Sequence, residues 1–309
     1  MPREPLAGMG RTGAWGTVIN GQSRSWSPKP RRFQDTHLIW RQPLFWIGTG
    51  LFIGLVLLCF AGPRLYHAGP LAVHITQSSR PPSLRFPLGT DVLGRNELSR
   101  IMFGGRLLIL MALGSAVSAT IFGVGVGLAS AYLGGMIDRV ASWVMDVVLS
   151  IPQLVPLLLI SFLFTSSPTT MIIVISATTW PMVARPVRAE ALSIRNRPYI
   201  AAALSLGASP SRIMGRYIFP ATGTTVLMSA SNSVSTAVVV LATASFLGIS
   251  LPPPWPNWAS MIADGISQIS FGEWWLWVCP ALALVCLVLS INTVTEAARI
   301  VAYKGGSSS

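Results

Sequence analysis

Six apolar runs, each long enough to cross a bilayer, constrain this chain more than any other feature. They occupy residues 44–62, 107–132, 140–164, 171–187, 222–247 and 274–291. A helix rises about 1.5 Å per residue and the hydrocarbon core is about 30 Å thick, so roughly 20 apolar residues span it. Charged residues make up only 10% of the 309, against about 25% in an ordinary soluble domain. A soluble fold would have nowhere to put the surplus of apolar side chains. In lipid the outside of the protein is apolar too, and helices satisfy their own backbone polar groups. The chain therefore reads as an all-α membrane protein with about six transmembrane helices.

The segments between the runs give an organisation. Residues 1–41 are polar, rich in Gly, Pro, Ser and Arg, and hold seven basic residues. They cannot bury a core and read as a flexible cytoplasmic tail. No signal peptide is expected, because the first apolar run starts late and no A-x-A-like site follows it. Residues 42–103 hold the first transmembrane helix and an external loop, 104–299 the main membrane domain with a basic loop over 188–220, and 300–309 a cytoplasmic tail.

The net charge of +12 is explained by topology. Arg188, Arg195, Arg197, Arg212 and Arg216 lie between the fourth and fifth runs, whereas the loop over 248–273 has no Lys or Arg. Positive charge stays inside, which makes the first of these loops cytoplasmic, the second external, and both termini cytoplasmic. The first external loop runs against this rule with Arg64, Arg80, Arg85, Arg95 and Arg100. A nucleic-acid role would need a soluble basic face with a recognition motif, and none is evident.

Neither metal chemistry nor catalysis is suggested. Cys59, Cys279 and Cys286 lie in apolar runs without a CxxC pair, and His37, His67 and His74 are scattered. No Ser/His/Asp or HExxH constellation is present, which argues against an intramembrane hydrolase. The chain also lacks a GxxxxGK[ST] phosphate loop, so it is not an ATPase. Asp146 is the main charged candidate inside a run, and its place near one end favours a structural role at the membrane edge. A secondary transporter or channel would need charges or a filter in midmembrane.

Three patterns carry more information. Small residues recur at every fourth position, Ser115, Ala119, Gly123, Gly127, Ala131 and Gly135, and line one face as a helix-packing seam. Ser229, Asn232, Ser233, Thr236 and Thr243 form a polar stripe in the fifth run, facing protein or a water-filled path. Pro152, Pro156, Pro181 and Pro280 predict kinks or local unwinding. Finally, YIAAALSLGASPSRIMGRYIFP over 199–220 reads as a short helix, a Gly207 turn with positive φ, and a second helix capped by Ser209-Pro210. This is a compact knob with a flat Ala face.

That knob resembles the EAA motif of ABC-importer permeases, with Ala202, Ala203, Gly207, Ile218 and Pro220 in register and Ala201 where the family usually has Glu. LGTDVLGRNELSR over 88–100 is similar to the LGTDxxGRDxxSR pattern of the dipeptide/oligopeptide/nickel group and its C-type permease, with Asn96 replacing Asp. FLGISLPPPWPNWASMIADG over 246–265 resembles the group's FLGxxxxPPxPxWGxMxxDG, with Ala259 replacing Gly. YLGGMIDR over 132–139 looks like the connection between its second and third spans. Together these cover residues from about 85 to 299, in family order. In the tail, Asn292 and Arg299 fit the family, while Thr295-Glu296 do not.

The resemblance implies a type I ABC importer permease fold in the bacterial cytoplasmic (inner) membrane, with 104–299 as its permease domain. It implies one half of a heterodimeric pore, joined by a second permease subunit, two ATPase subunits and an extracytoplasmic substrate-binding protein. ATP and Mg would sit on the ATPase subunits, with no cofactor on this chain. Tyr199, Ala201, Ala202, Ala203, Gly207, Ser209 and Arg212 would couple to the ATPase, and Ser229, Asn232, Ser233 and Thr236 would be pathway-lining candidates. Cargo would be peptides or a related solute such as a nickel complex or an opine.

Overall fold

The structure is a computed structural model that describes residues 43–67, 69–164, 167–249 and 255–307. The expected tail over 1–41 lies outside the described residues. All elements named among the described residues are helical, and β pairing there is limited to an isolated bridge between Thr90 and Asn96.

Among the described residues, ten helices organise the fold: α1 (Pro43–Phe60), α2 (Glu97–Leu133), α3 (Gly135–Ser150), α4 (Leu154–Leu163), α5 (Pro168–Arg195), α6 (Pro198–Ser205), α7 (Pro210–Ile213), α8 (Gly223–Phe246), α9 (Trp258–Ser267) and α10 (Trp275–Ser307). Four of them, α2, α5, α8 and α10, are long and apolar enough to cross a membrane; α3 and α4 qualify together as one broken span. The shorter α1, 18 residues, completes the set of six runs.

Local chemistry sets the helix ends. Asn96 caps α2, its side chain accepting from Ser99 N–H at 3.1 Å. That cap starts the helix ten residues before the apolar run beginning at 107, so α2 reaches 37 residues. Ser167 caps α5 by accepting from Thr170 N–H, and Pro168 occupies the first turn, where no backbone donor is needed. The last run also continues further than its apolar residues, since α10 remains helical to Ser307 through the expected tail.

The third run is not one helix. It breaks between Ser150 and Leu154, and α3 and α4 meet at a bend of 78°. Pro152 explains this: the residue before a proline is driven out of the α region, and Ile151 is extended at φ −90°, ψ 122°. Pro181 and Pro280, by contrast, sit inside continuous helices.

The main core joins Leu108, Met111 and Ala112 of α2, Leu157 of α4, Ile175 of α5, Leu241 of α8, Trp258 of α9 and Leu287 of α10. α2 lies along α5, while α10 packs on α1 and α9.

Candidate functional site

The knob follows α5 after two residues. Tyr199 to Ser205 lie in α6, whose buried side chain is Ile200. Ala201 and Ala202 are exposed and Ala203 is half-buried. Leu204 and Leu206 are exposed to 52% and 88%, leaving an apolar face without a partner among the described residues. Gly207 closes the helix at φ 80°, with Ala208 N–H donating to Ala203 O at 3.0 Å and Gly207 N–H to Leu204 O at 2.9 Å. This is a Schellman closure, which needs the left-handed conformation that glycine adopts without cost. Ser209 Oγ then accepts from Arg212 N–H at 3.4 Å and starts α7. A π turn over Met214–Ile218 follows. Pro220 accounts for it: without an N–H it cannot serve the Arg216 carbonyl, and the ladder shifts register.

Beneath this face, Ile200, Ile213 and Ile218 pack with Ala191 and Ile194 of α5 and Ala131 of α2. Arg195 adds a polar tie, donating from Nη1 to the carbonyls of Ala131 at 2.8 Å and Tyr132 at 3.2 Å. The knob is therefore one packed body with the ends of α5 and α2.

The polar stripe divides. Ser233 is buried and its hydroxyl donates to Ser229 O within α8 at 2.9 Å. Thr243 likewise donates to Val239 O. Asn232 is exposed, while Ser229 and Thr236 are half-buried. Ser235, outside the expected stripe, donates to Asn292 Oδ1 at 2.8 Å and ties α8 to α10.

The small-residue row meets α5. Ser115, Ala119, Gly123, Gly127 and Ala131 are all buried. A Cβ on Gly123 would stand 2.6 Å from the Trp180 carbonyl oxygen, and one on Gly127 2.7 Å from that of Ala184. Gly135 does not join this seam: Gly134 at φ 64°, ψ −160° turns the chain out of α2, and Gly135 begins α3.

The two stretches over 88–100 and 246–265 come together. Trp258 is fully buried, and its Nε1 donates to Ile101 O at 2.7 Å. Trp275 Nε1 donates to Thr90 O at 3.2 Å, and Asn257 Nδ2 to Ser245 Oγ at 2.9 Å. Asp91 is paired with both Arg95 at 2.6 Å and Arg100 at 2.5 Å, and Glu97 lies 3.7 Å from Arg100. Two of the five arginines that run against the charge rule thus share one carboxylate, Asp91.

Asp146 lies on α3, exposed and paired with Arg185 of α5. Sequence reasoning missed a second α3–α5 pair, in which Arg188 Nε and Nη2 meet Asp138 Oδ1 and Oδ2 at 2.5 and 2.6 Å. The separation of 50 residues hides it from any local pattern. It also missed the contact of Thr225 on α8 with Glu190 on α5. The cysteines are free, and no group of three His, Cys, Asp or Glu among the described residues is placed to hold a metal.

With four helices among the described residues long and apolar enough to span, one broken pair and a shorter apolar helix, this is a multi-pass helical membrane protein. It belongs to the family of binding-protein-dependent transport system inner membrane components, matched over residues 98–299. A peptide transport system permease protein of Brucella suis biovar 1 is 32% identical over 259 residues, 84% of this chain and 87% of its own. The dipeptide transport system permease protein DppC of Bacillus subtilis is 30% identical over 250 residues, 80% of this chain and 78% of its own. The oligopeptide transport system permease protein OppC of the same organism is 28% identical over 253 residues, 82% and 83% of the two chains. The chain is a permease subunit of a binding-protein-dependent ABC importer with the type I permease fold, working with ATPase and permease partners.

Proposed function

We propose that this permease carries peptides, or a related small solute such as a nickel complex or an opine, across the bacterial inner membrane. It forms half of a heterodimeric path with a second permease. Two ATPase subunits bind ATP and Mg on the cytoplasmic side, and an extracytoplasmic binding protein delivers the solute. Both termini are cytoplasmic. The similarity to permeases named for peptides, dipeptides and oligopeptides supports the cargo class.

The observation that carries this reading is the knob: exposed Leu204 and Leu206 stand on a helix that Gly207 terminates rigidly and that Ile200 anchors to α5. An unpartnered apolar face on a firm base suits docking in a groove of another subunit. Tyr199, Ala201, Ala202, Ala203, Gly207, Ser209 and Arg212 form this coupling element. ATP binding closes the ATPase pair, draws the knob with it, and rocks the helices from an outward-open to an inward-open state. Asn232, exposed midway along α8, lies on the proposed path with the half-buried Ser229 and Thr236, whereas Ser233 is buried and bonded within the helix. An exposed amide in that position is costly against lipid and is satisfied by water, solute or the second permease.

The test is reconstitution of the two permeases and two ATPase subunits in proteoliposomes, with the binding protein added and its ligand identified by mass spectrometry. ATP-dependent accumulation of that ligand supports the reading. Accumulation without ATP or without an ATPase subunit would overturn it.

A further inference from the structure

The contacts of α3 point to a role beyond membrane anchoring. This helix lies between two breaks. At its start, Gly134 sits at φ 64°, ψ −160°, a region essentially closed to other residues, and Gly135 follows at φ 58°. At its end, Ile151 and Pro152 interrupt the helix before the 78° bend into α4. Between the breaks α3 buries one side chain, Met145, which packs with Ala119 of α2 and Trp180 and Ala184 of α5. Much of the rest is open, with Met136 77% and Trp143 66% exposed.

Against this thin packing stands a directional contact. Arg188 meets Asp138 with two parallel bonds, and both side chains are about three-quarters buried, at 25% and 21% exposure. A two-toothed guanidinium–carboxylate pair fixes orientation as well as distance. Arg185–Asp146 reinforces it further along α3, but is more than half exposed and contributes less. Both arginines belong to α5, which runs on to the knob and is locked to it by the Ala191, Ile194 and Ile200 cluster.

We propose that the Asp138–Arg188 contact is the strap by which displacement of α5 by the knob is passed to α3 and, across the Pro152 break, to α4. Asp138 and Arg188 are then positioning residues of the transport cycle. This rests on the reading of α6 as the element that takes up the ATPase movement. The Gly134 and Pro152 breaks let α3 turn as a rod; the paired bonds make it follow α5 and not slip past it. α4 carries the movement into the core through Leu157, and Gln153 at the bend reaches Met182 of α5.

The experiment uses the complete complex, with Cys59, Cys279 and Cys286 replaced by Ala. Spin labels at Met136→Cys and Ser193→Cys, both exposed, report the α3–α5 distance. A second pair, Ile47→Cys with Met136→Cys, reports whether α3 moves at all. Each is measured by pulsed electron resonance before and after trapping with ATP and vanadate. The expected result is a constant α3–α5 distance in the parent complex while the second distance changes. Arg188→Ala and the near-isosteric Asp138→Asn should let the α3–α5 distance shift or spread by ~3–5 Å on trapping. The exchange of both charges, Asp138→Arg with Arg188→Asp, should restore it. A parent α3–α5 distance that changes as much as in the variants, a distance that stays fixed in all of them, or an α3 that never moves would each overturn the strap. Gly207→Val separates the premise: if the second distance still changes normally in that variant, the knob reading fails, and the strap fails with it as a route from the knob.

Discussion

Trp258 Nε1 donates to the carbonyl of Ile101 across 157 residues of sequence, at 2.7 Å in a fully buried setting. The bond pins the start of α9 to the first turns of α2, joining the stretch over 246–265 to the helix that follows 88–100. Trp258→Phe keeps most of the apolar contact and removes the donor, so it should cost about 0.5–1.5 kcal/mol. Trp258→Ala also leaves a cavity and should cost about 3–5 kcal/mol. Thermal unfolding of the purified complex in detergent checks the order; a silent Trp258→Phe would mean that the hydrogen bond contributes nothing beyond packing, and equal losses for both substitutions would mean that the apolar contact kept by phenylalanine contributes nothing beyond the bond.

The seam between α2 and α5 permits a sharper comparison. At Gly123 a methyl group would press on the Trp180 carbonyl, part of the backbone, which has no rotamer to move into. Gly123→Ala should therefore destabilise by about 1–3 kcal/mol, and Gly123→Leu and Gly127→Leu should abolish assembly. Gly125, two residues away, faces outward, and a methyl group there would meet nothing within 4 Å. Gly125→Ala should be neutral or stabilise by roughly 0.5–1 kcal/mol through helix propensity. Expression and thermal stability decide; a harmful Gly125→Ala alongside a silent Gly123→Ala would reverse the assignment of faces.

Much of this architecture was legible because its signals are local. Apolar runs are contiguous, the Gly207 turn needs a particular residue at one position, and a four-residue spacing of small side chains marks a helix face. Helix ends were less legible, since polar residues capped by Asn96 extend α2 beyond its apolar core. The α3–α4 break had its signal in Pro152, but a proline inside an apolar run equally allows the continuous helix seen at Pro181. The bonds that organise the ends of the bundle, Arg188 to Asp138 and Trp258 to Ile101, depend on partners 50 and 157 residues away. Neither residue type nor spacing announces such a pairing before the helices are packed.

Orientation can be tested at two exposed positions. Asn196 lies between α5 and α6, and Phe271, 76% exposed, lies between α9 and α10. Asn257 is a poorer site for a label because it is buried and bonded to Ser245. Single cysteines at Asn196 and Phe271, in a background without the native three, should react with an impermeant maleimide from opposite faces of the membrane. Reaction of both from one face would sink the proposed topology.

The knob permits separation of backbone strain from contact. Gly207 has no neighbour within 4 Å of a Cβ, so a side chain there meets open space and only its φ of 80° resists substitution. Gly207→Ala should cost about 1 kcal/mol locally, and the β-branched Gly207→Val about 2 kcal/mol or more. That strain lies at the surface, away from the spans, so insertion should persist while the Schellman closure opens. Ala203→Arg works differently, placing a large charge on the half-buried side of α6. Both should lower transport and binding-protein-stimulated ATP hydrolysis together, by roughly tenfold if coupling loses ~1.4 kcal/mol. Ala201→Glu, at an exposed position, should leave stability unchanged and is expected to be tolerated in transport. The measurements are uptake and ATP hydrolysis on the same proteoliposomes, with subunit content verified by gel. Full activity of both Gly207→Val and Ala203→Arg would remove the coupling role from α6 and leave family membership without a mechanical contact to account for it.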